Sequence, residues 1–319
     1  MIVTLTANPS LDRTVDLDGE LTPGGVHRIQ ADKTQPGGKG INVAFGVHRA
    51  GLDVLAVFPA PEADPLLGLL DADQLPYRAV PSPGKVRTNI TVVSDPDVTT
   101  KINEPGTPLS ADDVAAVEST LADAVGEGDT VMLSGSLAPG FPADEYATLI
   151  RQLRAKGAWV GVDTSDAPLA ALFAAGPDSA PDFLKPNAEE LGQLTGRDGV
   201  ELEALVAQGD MAAVTEAARH LHEQGVAEVL VTLGGSGAVL VTAEGAWYSP
   251  SPKVSVASTV GAGDSATAGY LIGRVTGAAP AERLALSIAY GAVAVSLPGT
   301  TIPARSQVSP NPGAVITLQ

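Results

Sequence analysis

The chain has 319 residues, 44% hydrophobic and only 4% aromatic, and 19 Lys+Arg stand against 37 Asp+Glu for a formal net charge of −18. That supports one large core or two small ones built from Ala, Val, Leu and Ile, excludes dominant disorder, and argues against nucleic acid or an anionic membrane as partner. The absence of cysteine excludes disulfides, thiolate metal sites and thiol nucleophiles, and the four histidines (27, 48, 220 and 222) lack HExxH spacing. The opening MIVTLTANPSLDRT lacks the basic-then-apolar plan of a leader, and no apolar run reaches the roughly 18 residues of a membrane span, so a soluble cytoplasmic protein is expected.

In chain order, residues 12–34 come first, rich in β-branched and charged residues and without a helix period. Gln35-Pro-Gly37-Gly38-Lys39-Gly40-Ile-Asn42 then turns into a helical pattern over 40–50, with Ile41, Ala44, Val47 and Ala50 on one stripe. A second irregular stretch, 77–104, contains Val86-Arg-Thr-Asn-Ile-Thr-Val-Val93, which alternates in part like a half-exposed strand. From about residue 107 the rhythm is regular. Ser110 opens a helix to about Val125, 130–134 is a buried strand, 142–156 a helix and 158–163 a strand. A short helix near 167–175 precedes Phe183-Leu-Lys185, and helices follow from about Asn187 and over 210–224. Strands at 228–232 and 238–242 lead to two late helices, about 263–276 and 280–297.

Alternating strands and helices predict a mostly parallel sheet with helices on both faces. The two irregular stretches read as a small β-sheet, a lid or dimerisation surface, or else as ordinary strand pairs on the main sheet. The expected division is a core of 1–11, 35–76 and 107–319 with a lid of 12–34 and 77–106.

Four motifs carry possible chemistry. Ser258-Thr-Val-Gly261-Ala262-Gly263-Asp264 follows a strand-like Val254-Ser-Val-Ala and opens an apolar helix. Glycine turns let successive amides converge on an anion, and the helix N-terminus adds positive potential. Asp264, beside that anion hole, reads either as a base that takes a proton from an attacking hydroxyl or as a helix cap. Residues 37–42 form a second glycine turn at a helix start, without Walker A spacing, and read as an anion or sugar site or as a tight turn with a surface lysine. In Lys185-Pro-Asn187-Ala-Glu-Glu190, Asn187 and Glu190 suit a capping box, or the end of a strand where they would orient hydrated Mg²⁺ and phosphate oxygens. Thr232-Leu-Gly234-Gly235-Ser-Gly237 is a nucleotide-facing loop or a hairpin, and no dinucleotide fingerprint is present. Asn8, Asp12, Arg28, Arg87, Lys101 and Asn103 are polar residues in strand-like regions. Because basic residues are scarce, those beside glycine turns are the better phosphate candidates.

In combination and order, Thr6-Ala-Asn-Pro-Ser-Leu-Asp12, Gly37-Gly-Lys-Gly-Ile-Asn-Val-Ala44, Ser134-Gly-Ser-Leu-Ala-Pro-Gly140, Lys185-Pro-Asn-Ala-Glu-Glu190-Leu and Thr259-Val-Gly-Ala-Gly-Asp-Ser265 resemble the ribokinase-like (PfkB) carbohydrate kinases over essentially the whole chain. Lys33 to Val43 and Ile102-Asn-Glu-Pro-Gly106 resemble its phosphosugar branch. The resemblance implies a three-layer α/β/α core, a β-sheet lid that doubles as a homodimer clasp, ATP and Mg²⁺, and phosphoryl transfer to a ketohexose phosphate. Fructose 1-phosphate is the first choice of substrate, ahead of tagatose 6-phosphate and fructose 6-phosphate.

Site roles follow from the same resemblance. It implies Asp264 as catalytic base and Gly261, Ala262 and Gly263 as anion hole. It places Lys185, Asn187, Glu190, Thr232, Gly234 and Gly237 at ATP, with Glu190 reaching Mg²⁺ through water. Asp12, Gly38, Lys39, Asn42, Arg87, Arg28 and Ser136 fall at the sugar phosphate, and Lys101 and Asn103, polar residues of the strand-like regions, are counted with them. The chain departs from relatives that use fructose 6-phosphate, with Val26 where they have Lys and Lys39 where they have Gly, so the phosphate end of the pocket differs. A sugar-phosphate sensor on the same fold is the competing class; intact Asp264, Asn187 and Glu190 argue against it, because a sensor has no use for a base.

Overall fold

The computed structural model describes residues 1–94, 98–309 and 314–319; residues 95–97, inside the expected second lid segment, lie outside the described residues. Strand β1 (Ile2–Thr6) leads into β2 (Ser10–Leu17) and β3 (Ile29–Gly37), followed by α1 (Lys39–Arg49), β4 (Val54–Ala60), α2 (Pro65–Ala72) and β5 (Tyr77–Pro81). Next come β6 (Arg87–Ser94), β7 (Val98–Asn103), α3 (Ala111–Ala124), β8 (Thr130–Ser134), α4 (Glu145–Ala155), β9 (Trp159–Asp163), α5 (Asp166–Ala174) and β10 (Phe183–Leu184). The chain continues through α6 (Ala188–Thr195), α7 (Gly199–Ala207), α8 (Ala212–Glu223), β11 (Glu228–Thr232), β12 (Ala238–Thr242) and β13 (Gly245–Ser249). It ends with α9 (Ala262–Val275), α10 (Pro280–Val295) and β14 (Ile316–Leu318).

The main sheet runs β14-β13-β12-β11-β10-β9-β8-β1-β4-β5, parallel from β11 to β5 and antiparallel at the other edge. Strand periodicity sorts its side chains into two cores. Val131, Leu133, Val160, Val162, Val229 and Val231 meet Leu149, Leu153 and Leu221 from α4 and α8 on one face. Met132, Phe183, Leu230 and Leu240 meet Ile41, Leu271 and Ile288 from α1, α9 and α10 on the other. The result is the expected three-layer α/β/α arrangement. Strand order reverses at β1, between β8 and β4, and in such sheets ligands bind beyond the carboxyl ends of the strands at the reversal.

A separate four-stranded sheet, β3-β2-β6-β7, rises from this end. It realises the expected second sheet with shifted limits: β2 begins at Ser10, β3 runs on to Gly37, and 77–81 is β5, hydrogen-bonded to β4 on the edge of the main sheet. Its buried Val80 joins the main core, which a lid strand could not do. Helix α2, capped by the Asp64 side chain on the Leu66 amide, is not anticipated by the sequence pattern. Residues 254–257 belong to no strand despite their alternation. Val254 and Val256 are exposed, and the amides of Ala257 and Ser258 bond instead to the Val295 carbonyl at the end of α10.

Candidate active site

Asp264 occupies the first turn of α9 and is buried. It does not cap the helix. The N-cap is Gly261, in the left-handed region at φ 78°, with no side-chain bond, so the first-turn amides of Ala262, Gly263 and Asp264 are left without helical partners. The Asp264 carboxylate instead accepts a hydrogen bond from Asn42 Nδ2 at 2.8 Å, across 222 residues of sequence. Burial pushes its pKa up to about 6; Lys39, the Asn42 bond and Lys185 oppose the rise, and Asp163 adds to it. A carboxyl poised there is ionised at neutral pH and still basic enough to take a proton.

Asn42 and Lys39 are presented by α1, whose N-terminus lies tight over β1. Gly38, Lys39 and Asn42 are thereby joined to Asp264. Asp12 enters from β2: a Cβ on Gly37 would lie 2.4 Å from its carboxyl carbon, so only glycine admits the side chain there. The Asp12 carboxylate accepts from Ser10 Oγ (2.8 Å) and Asn89 Nδ2 (3.0 Å).

Lys39 Nζ donates to Asp163 Oδ1 at 2.7 Å, and Lys185 Nζ lies 3.1 Å from Asp163 Oδ2. Burial pulls the Lys39 ammonium down, but Asp163, Asp264 and Glu190 outweigh it and hold it above its usual value. Burial would likewise raise Asp163, and the two lysines hold it below the usual carboxylate range. Lys185 reaches the anion hole: a Cβ on Gly263 would sit 3.5 Å from its Nζ. Sequence reasoning read Asp163 only as the last residue of a strand. The available signal was an acid closing a continuous apolar run.

Asn187 and Glu190 do form a capping box: Asn187 Oδ1 accepts from the Glu190 amide (2.8 Å) and Glu190 Oε2 from the Asn187 amide (2.9 Å). Capping does not remove them from the cleft. Glu190 is buried, its pKa raised by that burial, and it lies close enough to Lys39, Lys185 and Asp163 to feel their charges. Asn187 bridges to Thr232, which fixes α6 against the end of β11. Thr232, Gly234 and Gly237 form the β11–β12 hairpin and also line a groove of about 1140 Å³, with Ala262 and Gly263 at its inner end and Val256 and Ile288 along its walls. Gly237 sits at φ 106°, where a Cβ would come within 2.1 Å of the Ser249 carbonyl oxygen.

The lid residues are gathered less tightly. Register aligns Asp12, Asn89 and Asn103 across three strands, with Gln35 opposite Asp12, a polar row that sequence reading saw only in part. Arg87 begins β6 and donates from Nη1 to the Glu104 carbonyl (3.2 Å); burial lowers its pKa, Asp12 opposes, and Nε has no partner among the described residues. Lys101 and Asn103 are exposed on β7, and Arg28 is exposed ahead of β3 beside Val26, which is 90% exposed. None of these three is brought to Asp264. Ser136 is exposed and accepts a long bond (3.4 Å) from buried Asn8.

A carboxylate that takes a proton beside amides that hold an anion is the division of labour of a kinase acting on a small hydroxyl compound. Comparison with known proteins supplies the particular class. The model of the pfkB family carbohydrate kinases matches residues 5–307, and the chain belongs to that family of phosphotransferases. It is 37% identical over 289 residues to a 1-phosphofructokinase of Xanthomonas campestris pv. campestris, covering 89% of this chain and 87% of that one. The crystal structure of phosphofructokinase-2 from Escherichia coli in complex with substrates and products superposes with a TM-score of 0.86 at 30% identity, covering 96% of each chain. A ribokinase from Thermotoga maritima, at 21% identity and TM-score 0.73 over 96% of this chain and 97% of that one, shares the fold. Among the described residues no helix is long and apolar enough to cross a membrane.

Proposed function

We propose that the protein transfers the γ-phosphoryl group of ATP to fructose 1-phosphate, giving fructose 1,6-bisphosphate, with Asp264 as general base. The observation that carries this reading is the buried Asp264 carboxylate, oriented by Asn42 and one turn-residue away from bare helix-start amides. In this scheme ATP occupies the groove beside the β11–β12 hairpin, with its terminal phosphate over residues 261–263. The sugar lies between Asp12, Gly38 and Asn42, its free primary hydroxyl toward Asp264. Asp264 accepts the hydroxyl proton as the oxygen bonds to phosphorus and the bond to ADP breaks. In this scheme Arg87, half-buried at the start of β6, meets the substrate's phosphate. The lid excludes water that would otherwise take the phosphoryl group.

Mg²⁺ binds through one or two carboxylates, water and phosphate oxygens. Glu190 spends Oε2 on the Asn187 amide, which leaves Oε1 for such an ion, and its burial at the cleft wall fits that use. Bound there, Mg²⁺ would offset the charge on the phosphates. The lid also supports self-association: Val98 and Ile102 are about half exposed, on the face of β7 opposite the polar row, and a second copy would cover them.

Fructose 1-phosphate is favoured over the 6-phosphates because Lys39, in place of glycine, adds a cation inside the cleft while Val26 removes one from the lid. ADP release measured with fructose 1-phosphate, tagatose 6-phosphate and fructose 6-phosphate tests it. We expect kcat/KM for fructose 1-phosphate to exceed the others by about tenfold or more, the scale of one charge-assisted contact. Equal use of all three would remove the substrate assignment, and no turnover with any would remove the kinase reading.

A further inference from the structure

Asp163 is a buried charge in the cleft that the scheme above leaves without a task. Its side chain is 1% exposed at the end of β9, yet it faces two ammonium groups, one on each oxygen. Lys39 comes from the first turn of α1, the helix that carries Asn42, and Lys185 follows β10 and borders the Gly263 backbone. Two ammonium groups sharing one carboxylate, Lys185 buried and Lys39 partly exposed, repel, and each long side chain has many rotamers. One carboxylate between them offsets their repulsion and ties each ammonium to its own oxygen, in a cleft whose other acids are Asp264 and Glu190.

We infer that Asp163 is a positioning residue for phosphoryl transfer, a clamp that holds Lys39 and Lys185 at fixed places beside the sugar side and the anion hole. This rests on the proposed reading of the cleft as a kinase site. A clamp of this kind pre-orders the cations before substrates arrive, so its loss falls on kcat more than on KM. It acts through the lysines, so the cost of removing it depends on their presence. The Asp163 charge also raises the basicity of Asp264, against Lys39, Lys185 and the Asn42 bond, which lower it.

Asp163→Asn, which keeps shape and removes charge, tests it, together with Lys39→Gln and the double variant. We expect Asp163→Asn to lower kcat by roughly thirtyfold or more, with KM for ATP and sugar phosphate changing less. The acid limb of kcat/KM should move to lower pH, because a negative neighbour of Asp264 is gone and two cations are freed. In the Lys39→Gln background the same substitution should cost about tenfold less than in the wild type. An equal cost in both backgrounds, or an unmoved acid limb, overturns the inference. If Asp163→Asn alone fails to fold, the double variant decides: recovery of a cooperative melt supports charge imbalance as the cause, and failure makes Asp163 a framework residue and ends the inference. A wild type inactive on every sugar phosphate brings down the kinase reading as well, whereas an active wild type with an additive cycle brings down this inference alone.

Discussion

Asp264 in the cleft and Glu145 at the start of α4 are both buried carboxyls, and burial raises the pKa of both, to about 6 and about 8. Their surroundings divide them. Asp264 faces two lysines and an amide donor and sits at a helix start whose free amides open onto a groove. Glu145 faces other acids, Glu118 within hydrogen-bond reach and Asp144 beside it. The first is held partly ionised by cations that a phosphate can also use. The second is kept protonated by burial and by like charges. A perturbed pKa therefore marks a candidate site only when its neighbours can serve the ligand as well.

The largest effect that could break this contrast is Asp264→Asn. Removing the base should lower kcat by about a hundredfold or more, with the fold intact and sugar-phosphate binding retained. Turnover within a few-fold of wild type, measured by ADP release, would put Asp264 on the same footing as Glu145.

The pH profile sharpens the contrast next. Asp264 must be ionised to accept a proton, so kcat/KM should rise about tenfold per pH unit below a limb near the free-enzyme value of about 6 and level off above it. Stability carries the opposite sign. A carboxyl whose folded pKa lies above its unfolded value holds its proton longer in the folded state. Stability is then lost as pH rises through the window, about 4 to 6 for Asp264. Melting temperatures of Asp264→Asn should show less of that decline.

Much of the Asp264 site was legible because its parts are local. Gly261-Ala-Gly-Asp264 is a turn and a helix start in four residues, and the same holds for Gly37 to Asn42 and for Asn187 to Glu190. Their meeting was legible only through resemblance, since the Asn42–Asp264 bond spans 222 residues. The Asp163 clamp escaped because its local pattern is an ordinary buried strand and one of its lysines lies 124 residues away. The 77–81 segment was assigned to the wrong sheet because edge strands of both sheets show the same β-branched, half-exposed pattern. Arg28, Lys101 and Asn103 carry the right chemistry for a phosphate but stand exposed on the lid, and a linear pattern does not report how far a lid strand stands from the core.

Glu145 gives the smallest effect and the cleanest separation. An acid in the first turn of a helix is ordinarily stabilised by the helix dipole. Here burial and the neighbouring Glu118 and Asp144 overcome that benefit, and Glu145 folds in its protonated form. Its linkage window runs from about 4.5, its unfolded value, up to about 8, so wild-type stability should still be falling between pH 6 and 8, where the Asp264 contribution has ended. Glu145→Gln keeps the shape and a hydrogen-bond donor toward Glu118 and removes the ionisation. It should leave turnover unchanged, raise the melting temperature at pH 8 by about 2–4 °C, and change it little at pH 5. The pH dependence is the discriminating part. A uniform gain at both values would mean that glutamine merely packs better, and a loss of turnover would mean that the acids between α3 and α4 communicate with the cleft, so that the two regions are not separable in the way their neighbours suggest.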